Sequence, residues 1–217
     1  EKTFASHSHR LNKNYKNKGK IKLKPKERII KNLIENKNPR SILTLSGSAV
    51  VDYKNTYNIV NELQSEGIII KETMGNTSPI RINLFPNQEI FNVENKRTQE
   101  FLFQNPKLKL IQKDIEELNY PFMIVLLFGS YVKKTKTESS DIDICLISDN
   151  KEKKKELRDK LNLLSLKLEI HEFTAKEFIS MIEKTQKNLG HEIVKNNLIL
   201  YGIENYYNLI SKWMKKE

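Results

Sequence analysis

Asp141 and Asp143 stand two residues apart in the apolar run Asp141-Ile142-Asp143-Ile144-Cys145-Leu146-Ile147. Successive side chains of a strand alternate faces, so this spacing predicts both carboxylates on one face and Ile142 and Ile144 on the other. Carboxylates placed side by side raise each other's pKa and are costly unless a cation sits between them. Their oxygens suit Mg²⁺ or Mn²⁺, and Mg²⁺ often completes its octahedron with substrate phosphates. Upstream, the apolar stretch Phe122 to Phe128 ends in Gly129-Ser130. It predicts a central strand buried on both faces. The Gly-Ser turn after it offers backbone N–H groups and the Ser130 hydroxyl to a phosphate, with no bulky side chain in the way. An isolated Asp-x-Asp reads as the polar face of an edge strand. The turn and the acid pair together supply a metal anchor and a phosphate cradle, the two parts phosphoryl chemistry needs.

Phe128-Gly129-Ser130, the loop Tyr131 to Glu138, and Ser139-Ser140-Asp141-Ile142-Asp143 resemble the signature of the minimal nucleotidyltransferases, of the DNA polymerase beta-like superfamily. The resemblance spans roughly residues 105–210. It implies Mg²⁺ (or Mn²⁺) on Asp141 and Asp143, and a nucleoside triphosphate held at Gly129, Ser130 and Ser140. A third carboxylate on a later strand completes such sites. Glu169, between apolar neighbours in Leu168-Glu169-Ile170-His171-Glu172-Phe173, is the candidate third metal ligand and catalytic acid, with Glu172 the alternative. His171 shares the face of Glu169 and reads more simply as a satisfied polar residue. Where many members have Arg-Gly after the turn, this chain has Lys133-Lys134. With Lys136 these lysines can meet phosphate as point charges. The stretch Leu200 to Tyr207 is similar to the end of archaeal-type stand-alone domains of this kind. The implied reaction is attack of an acceptor hydroxyl on the α-phosphorus with loss of pyrophosphate. The acceptor is a protein, an RNA or a small molecule. Members often act as antitoxins on a HEPN-type toxin, so a toxin protein is an implied partner.

The elements that must hold this site begin upstream. Residues 1–25, rich in Lys, Asn and Ser, read as a basic flexible arm, and His7 and His9 within it as solvated side chains. From Lys26 onward Ile29, Ile30, Leu33 and Ile34 recur at helical spacing. A short helix over 41–50 follows, and then a third helix, capped by Asp52 and ended by Gly67. Its inner face carries Thr56, Ile59, Val60 and Leu63, and its outer face Lys54, Asn55, Asn58 and Asn61. Ile68 to Glu72 and Ile80 to Leu84 flank a turn and predict a hairpin. Residues 26–86 therefore resemble a winged helix-turn-helix, three helices plus a β-hairpin. That implies DNA contacts from Lys54, Asn55, Asn58, Asn61 and Arg81 and pairing into a homodimer. Residues 87–104 read as a connector with some helix. Asn105-Pro106 starts a helix whose buried face is Leu108, Ile111, Ile115 and Leu118. Residues 105–217 form the second domain, a mixed sheet flanked by helices, which makes the chain α+β (α/β) overall. Helical readings cover 175–182, 192–198 and 204–213.

Composition fits this division. The 217 residues carry a formal charge of +11, with 38% hydrophobic and 30% charged residues. Residues 1–100 hold +8 of that charge and 101–217 hold +3, which points the first half at a polyanion. Cys145 is the single cysteine, so no internal disulfide forms and a cytoplasmic setting is expected. Cys145 itself reads as a small buried hydrophobe. No apolar run approaches the ~20 residues of a membrane span, and the start lacks a secretory apolar region. Two functions follow. One is a nucleotidyltransferase with a DNA-binding winged helix. The other is a DNA-binding regulator whose second domain senses nucleotide or is inactive. Mg²⁺-dependent triphosphate binding separates them.

Overall fold

The computed structural model of the chain describes residues 21–72, 78–138 and 140–214. Residues 1–20 of the expected arm, most of the hairpin turn and Ser139 lie outside the described residues. Helix α1 (Pro25–Glu35) buries Ile29, Ile30, Leu33 and Ile34, the residues its periodicity singled out. In α2 (Ile42–Ala49) the Ser41 hydroxyl caps the first turn by accepting the Thr44 N–H at 3.1 Å. In α3 (Tyr53–Ser65) the Asp52 carboxylate does the same for Asn55 N–H at 2.9 Å. Each such cap is worth about 1 kcal/mol. Strands β1 (Ile69–Lys71) and β2 (Ile80–Ile82) pair antiparallel, Ile69 opposite Ile82. Ile80, Ile82 and Leu84 are buried beneath them.

The stretch read as a connector with some helix is a 17-residue helix throughout, α4 (Gln88–Gln104). It buries Ile90, Phe91, Val93 and Leu102, together with Glu94, Arg97 and Thr98. Polar residues on the buried face hide its apolar period, because the buried face is also a hydrogen-bonding face. A 3-10 turn over Pro106–Leu108 leads into α5 (Lys109–Leu118), so Asn105 and Pro106 open that turn rather than cap the helix directly. The Asn105 side chain donates back to Phe101 O at 2.9 Å.

A four-stranded mixed sheet forms the second half, in the order β5-β4-β3-β6. All five residues of β3 (Ile124–Phe128) are buried, as a central strand demands. It pairs antiparallel with β4 (Ile142–Ile147) and with β6 (Leu198–Tyr201), and β5 (Leu168–Phe173) runs parallel to β4. One sheet face packs Val125, Leu127, Ile144 and Leu146 against Ile111 and Ile115 of α5 and Leu157 and Leu161 of α7 (Lys151–Asn162). The other packs Leu126, Cys145 and Ile199 against α8 (Ala175–Ile182), α9 (Leu189–Lys195) and α10 (Ile203–Met214). That second cluster continues without a break into Ile29, Leu33 and Leu63 of the N-terminal helices. Burial pushes the Cys145 thiol far above its ordinary range, which keeps it inert, a packing residue. No helix among the described residues is long and apolar enough to cross a membrane.

Candidate active site

Strand register assembles the site. Phe128, last in β3, lies opposite Asp143, and Asp143 lies beside Glu169 in the parallel pairing of β4 and β5. Two residues along β5, His171 points to the same side, its Nε2 3.2 Å from Glu169 Oε1 and its ring 5.5 Å from that of Phe128. Asp143, Glu169 and His171 each bring one ligand atom within 4.8 Å of the others. The chain then turns into a short helix, α6 (Gly129–Lys133), with Gly129 at φ +69°. A Cβ on Gly129 would lie 1.8 Å from Asp143 Oδ2. The carboxylate thus occupies the space that glycine leaves, and the Ser130 N–H donates to it. The turn expected as a phosphate cradle is also the seat of Asp143.

Charge is crowded here. The Asp143 carboxyl is pushed above the usual carboxylate range by partial burial and then by the charge of Glu169. His171 and the Ser130 N–H pull it partly back, while Glu192 on α9 adds to the push. A site that makes its own carboxylate expensive is one that a bound cation relieves. The donors fit a divalent ion: two carboxylates and an imidazole converge on one point. The imidazole nitrogen departs from the all-oxygen set that Mg²⁺ favours and suits a borderline ion such as Mn²⁺ better.

The other residues named from sequence fall in several places. Asp141 lies one residue ahead of β4, exposed and outside the three-residue cluster, its nearest cation Lys167 at 3.9 Å. Lys133 is ion-paired with Glu192. Lys134 follows α6 in a left-handed conformation, φ 59°. Lys136 sits 4.5 Å over the Tyr131 ring and donates to Asn105. Ser140 closes the loop by accepting the Thr137 N–H at 2.8 Å. Glu172 faces away from Glu169 and pairs with Arg158 at 2.9 Å, which removes it as the alternative acid. His171 and Glu192 were not selected from sequence. Strand alternation marks the first, one step from Glu169. Nothing local marks the second, since a helix 49 residues downstream of Asp143 brings it close. In the N-terminal helices Lys54, Asn58 and Asn61 are exposed and Asn55 is half-buried. Arg81 is ion-paired with Glu72 across the hairpin.

Residues 110–206 match the family described as polymerase beta, nucleotidyltransferase. Over 98 residues the chain is 30% identical to the Methanocaldococcus jannaschii protein named "Putative protein adenylyltransferase MJ1547", covering 43% of this chain and 70% of that one. A solved structure titled "Crystal structure of the toxin-antitoxin with AMP-PNP" matches at 22% identity and a TM-score of 0.33, over 48% of this chain and 85% of that one. With Asp143 seated at the glycine turn, the chain belongs to the polymerase beta nucleotidyltransferase family.

Proposed function

We propose that this nucleotidyltransferase moves a nucleoside monophosphate, adenylyl first among them, from a triphosphate to a hydroxyl on a partner protein. The convergence of Asp143, Glu169 and His171 beside Gly129 carries this reading. The name of the archaeal relative supports adenylyl transfer to protein. A divalent cation, when bound, supplies charge neutralisation for the phosphates and for the departing pyrophosphate. Asp143, fixed by the Ser130 N–H and wedged against Gly129, gives that ion a rigid inner ligand. Asp141 would add a further carboxylate from the rim, where its long, exposed contact with Lys167 is weak. Glu169, the more exposed of the two inner acids, takes the proton of the attacking hydroxyl. The free N–H groups of α6 and the Ser130 hydroxyl hold phosphate oxygens, and Lys133 offers further charge.

The test is incorporation of label from γ- and α-labelled triphosphates into candidate proteins, a HEPN-type toxin first, as the resemblance implies. Transfer of the α label alone, lost in Asp143→Asn, is the expected result; undiminished labelling by that variant refutes the assignment. Equilibrium binding followed by Mn²⁺ spin resonance adds a readout independent of turnover. His171→Ala is expected to weaken Mn²⁺ about tenfold while changing Mg²⁺ little, and equal losses for both ions would exclude a direct imidazole ligand.

The order of three helices and a hairpin, with Lys54, Asn58 and Asn61 exposed on α3, supports a winged helix bound to DNA. The pairing of Arg81 with Glu72 argues that α3, rather than the hairpin, carries the contacts. Lys54→Ala is expected to reduce the salt dependence of DNA binding, with log Kd against log salt losing about one unit of slope. An unchanged slope removes Lys54 from the interface.

A further inference from the structure

Away from the acid cluster, a cleft of 280 Å³ lies between the N-terminal helices, α4, α6 and the end of α9. Its walls carry Lys31, Lys37, Arg97, Lys133, Lys134 and Lys195, against the two acids Glu35 and Glu100 among the described residues. Ion pairing does not balance this excess. Lys31 is taken by Glu100, Arg97 by Glu94 and Lys133 by Glu192. Lys37, Lys134 and Lys195 have no carboxylate within 4.0 Å among the described residues. Lys37 donates to the carbonyls of Ile34 at 3.0 Å and Lys195 at 3.3 Å, which leaves one ammonium hydrogen unspent. Burial, and then the charge of Arg97, push its pKa down to about 8. The more distant charges of Glu94 and Glu35 pull it partly back, so the fold holds this cation in place with no carboxylate in direct contact. Lys134 shows a second expense. Its left-handed backbone costs a non-glycine residue about 1–2 kcal/mol, and among the described residues its side chain makes no hydrogen bond or ion pair that repays that cost. Glycine would be cheaper there unless the ammonium has work to do.

We infer that this cleft is a second anion site, taking the phosphate chain of a di- or triphosphate through Lys37, Lys134 and Lys195. Its volume falls just below the ~300–1,000 Å³ of sites that swallow whole drug-sized ligands, which suits a phosphate chain and leaves the nucleoside outside. A ligand there touches α1's trailing segment, the end of α6 and the end of α9 together. It therefore joins the N-terminal helices to the helix that starts at Gly129. The inference does not depend on the nucleotidyl-transfer reading, because the site uses none of Asp143, Glu169 or His171.

The experiment is calorimetric titration of inorganic pyrophosphate into the full chain bearing Asp143→Asn, in EDTA, so that no cation draws anions to the acid cluster. Saturable binding is expected. Lys37→Gln and Lys195→Gln should each weaken it about tenfold, the scale of one charge-assisted hydrogen bond, with thermal melts confirming the fold. Lys195 is exposed, so its variant carries the test if Lys37→Gln fails to fold. A non-hydrolysable ATP analogue with Mn²⁺, added to the wild-type chain, separates the sources. Two analogue molecules per chain identify a nucleotide tail as the occupant, and one per chain with pyrophosphate still binding identifies the free chain. No saturable binding, unchanged affinity in both lysine variants, or complete displacement of pyrophosphate by a single analogue overturns the second site.

Discussion

At position 129 a single methyl group decides where Asp143 can sit. Gly129 and Gly67 have the same φ of +69°, yet a Cβ at 67 meets nothing within 4 Å while one at 129 meets Asp143 Oδ2 at 1.8 Å. Gly67→Ala is therefore expected to cost only backbone strain, about 1 kcal/mol, and to keep activity. Gly129→Ala should bear a similar strain and also evict the carboxylate, reducing turnover by at least about 100-fold, the scale set by a misplaced reacting group. Equal activities of the two variants would show that the seat of Asp143 does not matter. The carboxyl it holds has a second consequence. Its pKa is raised in the fold, so the folded state binds its proton more tightly than the unfolded state. That favourable difference is complete below the unfolded pKa and is lost as pH rises through the folded one. At neutral pH the ionised group is then a net burden, and Asp143→Asn should raise the melting temperature by about 1–3 °C, under about 1 kcal/mol for a chain of this size. The gain should vanish in acid, where Asp143 is protonated in both states. A variant melting lower than wild type at pH 7.5 contradicts the crowding of charge described for this site.

Among the elements, those with a one-sided apolar period were legible: α1, α3 and α5 lie where Ile29–Ile34, Thr56–Leu63 and Ile111–Leu118 place them. The sheet strands at the site were legible as well, because β3 and β4 are near-continuous apolar runs. Besides the one-turn helix α6, which lies in residues read as a turn and a loop, three elements were not read in full. α7 hides Leu157 and Leu161 in a Lys-rich surface sequence, and α4 buries an ion pair. β6, Leu198–Tyr201, occupies residues read as the join of two helices, because an apolar run this short fits either period. Gly202 is what makes the strand end there. It has φ +76°, and a Cβ would meet Met123 O at 2.2 Å and Ile124 Cα at 3.2 Å. Those atoms are backbone and cannot swing aside. Gly202→Ala must therefore push α10 off β3 or break the end of β6. A destabilisation above about 3 kcal/mol is expected in urea melts, among the larger point effects. A cost under about 1 kcal/mol would mean that the joint between β6 and α10 tolerates displacement.

Across the whole molecule, α4 is what prevents the two halves from being separable. Its Thr98 hydroxyl donates to Ile199 O at 2.9 Å and Arg97 donates to Asn197 O, covering backbone of the edge strand β6. Uncovered edge strands invite pairing with other chains. On the same helix, buried Glu94 binds Arg97 and accepts the Tyr207 hydroxyl of α10 at 2.8 Å, and Asn197 donates to the Tyr206 hydroxyl at 2.7 Å. On its other side α4 meets the N-terminal helices through Lys31–Glu100 and Lys96–Glu27. Cutting at residue 105, where sequence places the start of the second domain, leaves the Tyr207 hydroxyl and the Asn197 carbonyl without their α4 partners and strips Ile90, Phe91, Val93 and Leu102 from the core. Each lost apolar side chain forfeits about 1.5–3 kcal/mol, and each orphaned buried polar group about 1–3 kcal/mol more. Together these are comparable with the whole 5–15 kcal/mol that usually separates folded from unfolded chains. A fragment of residues 105–217 should show no cooperative thermal transition, whereas 86–217, which keeps α4, should unfold cooperatively. A sharp transition in the shorter fragment would place the domain boundary after α4 and reduce that helix to a tether.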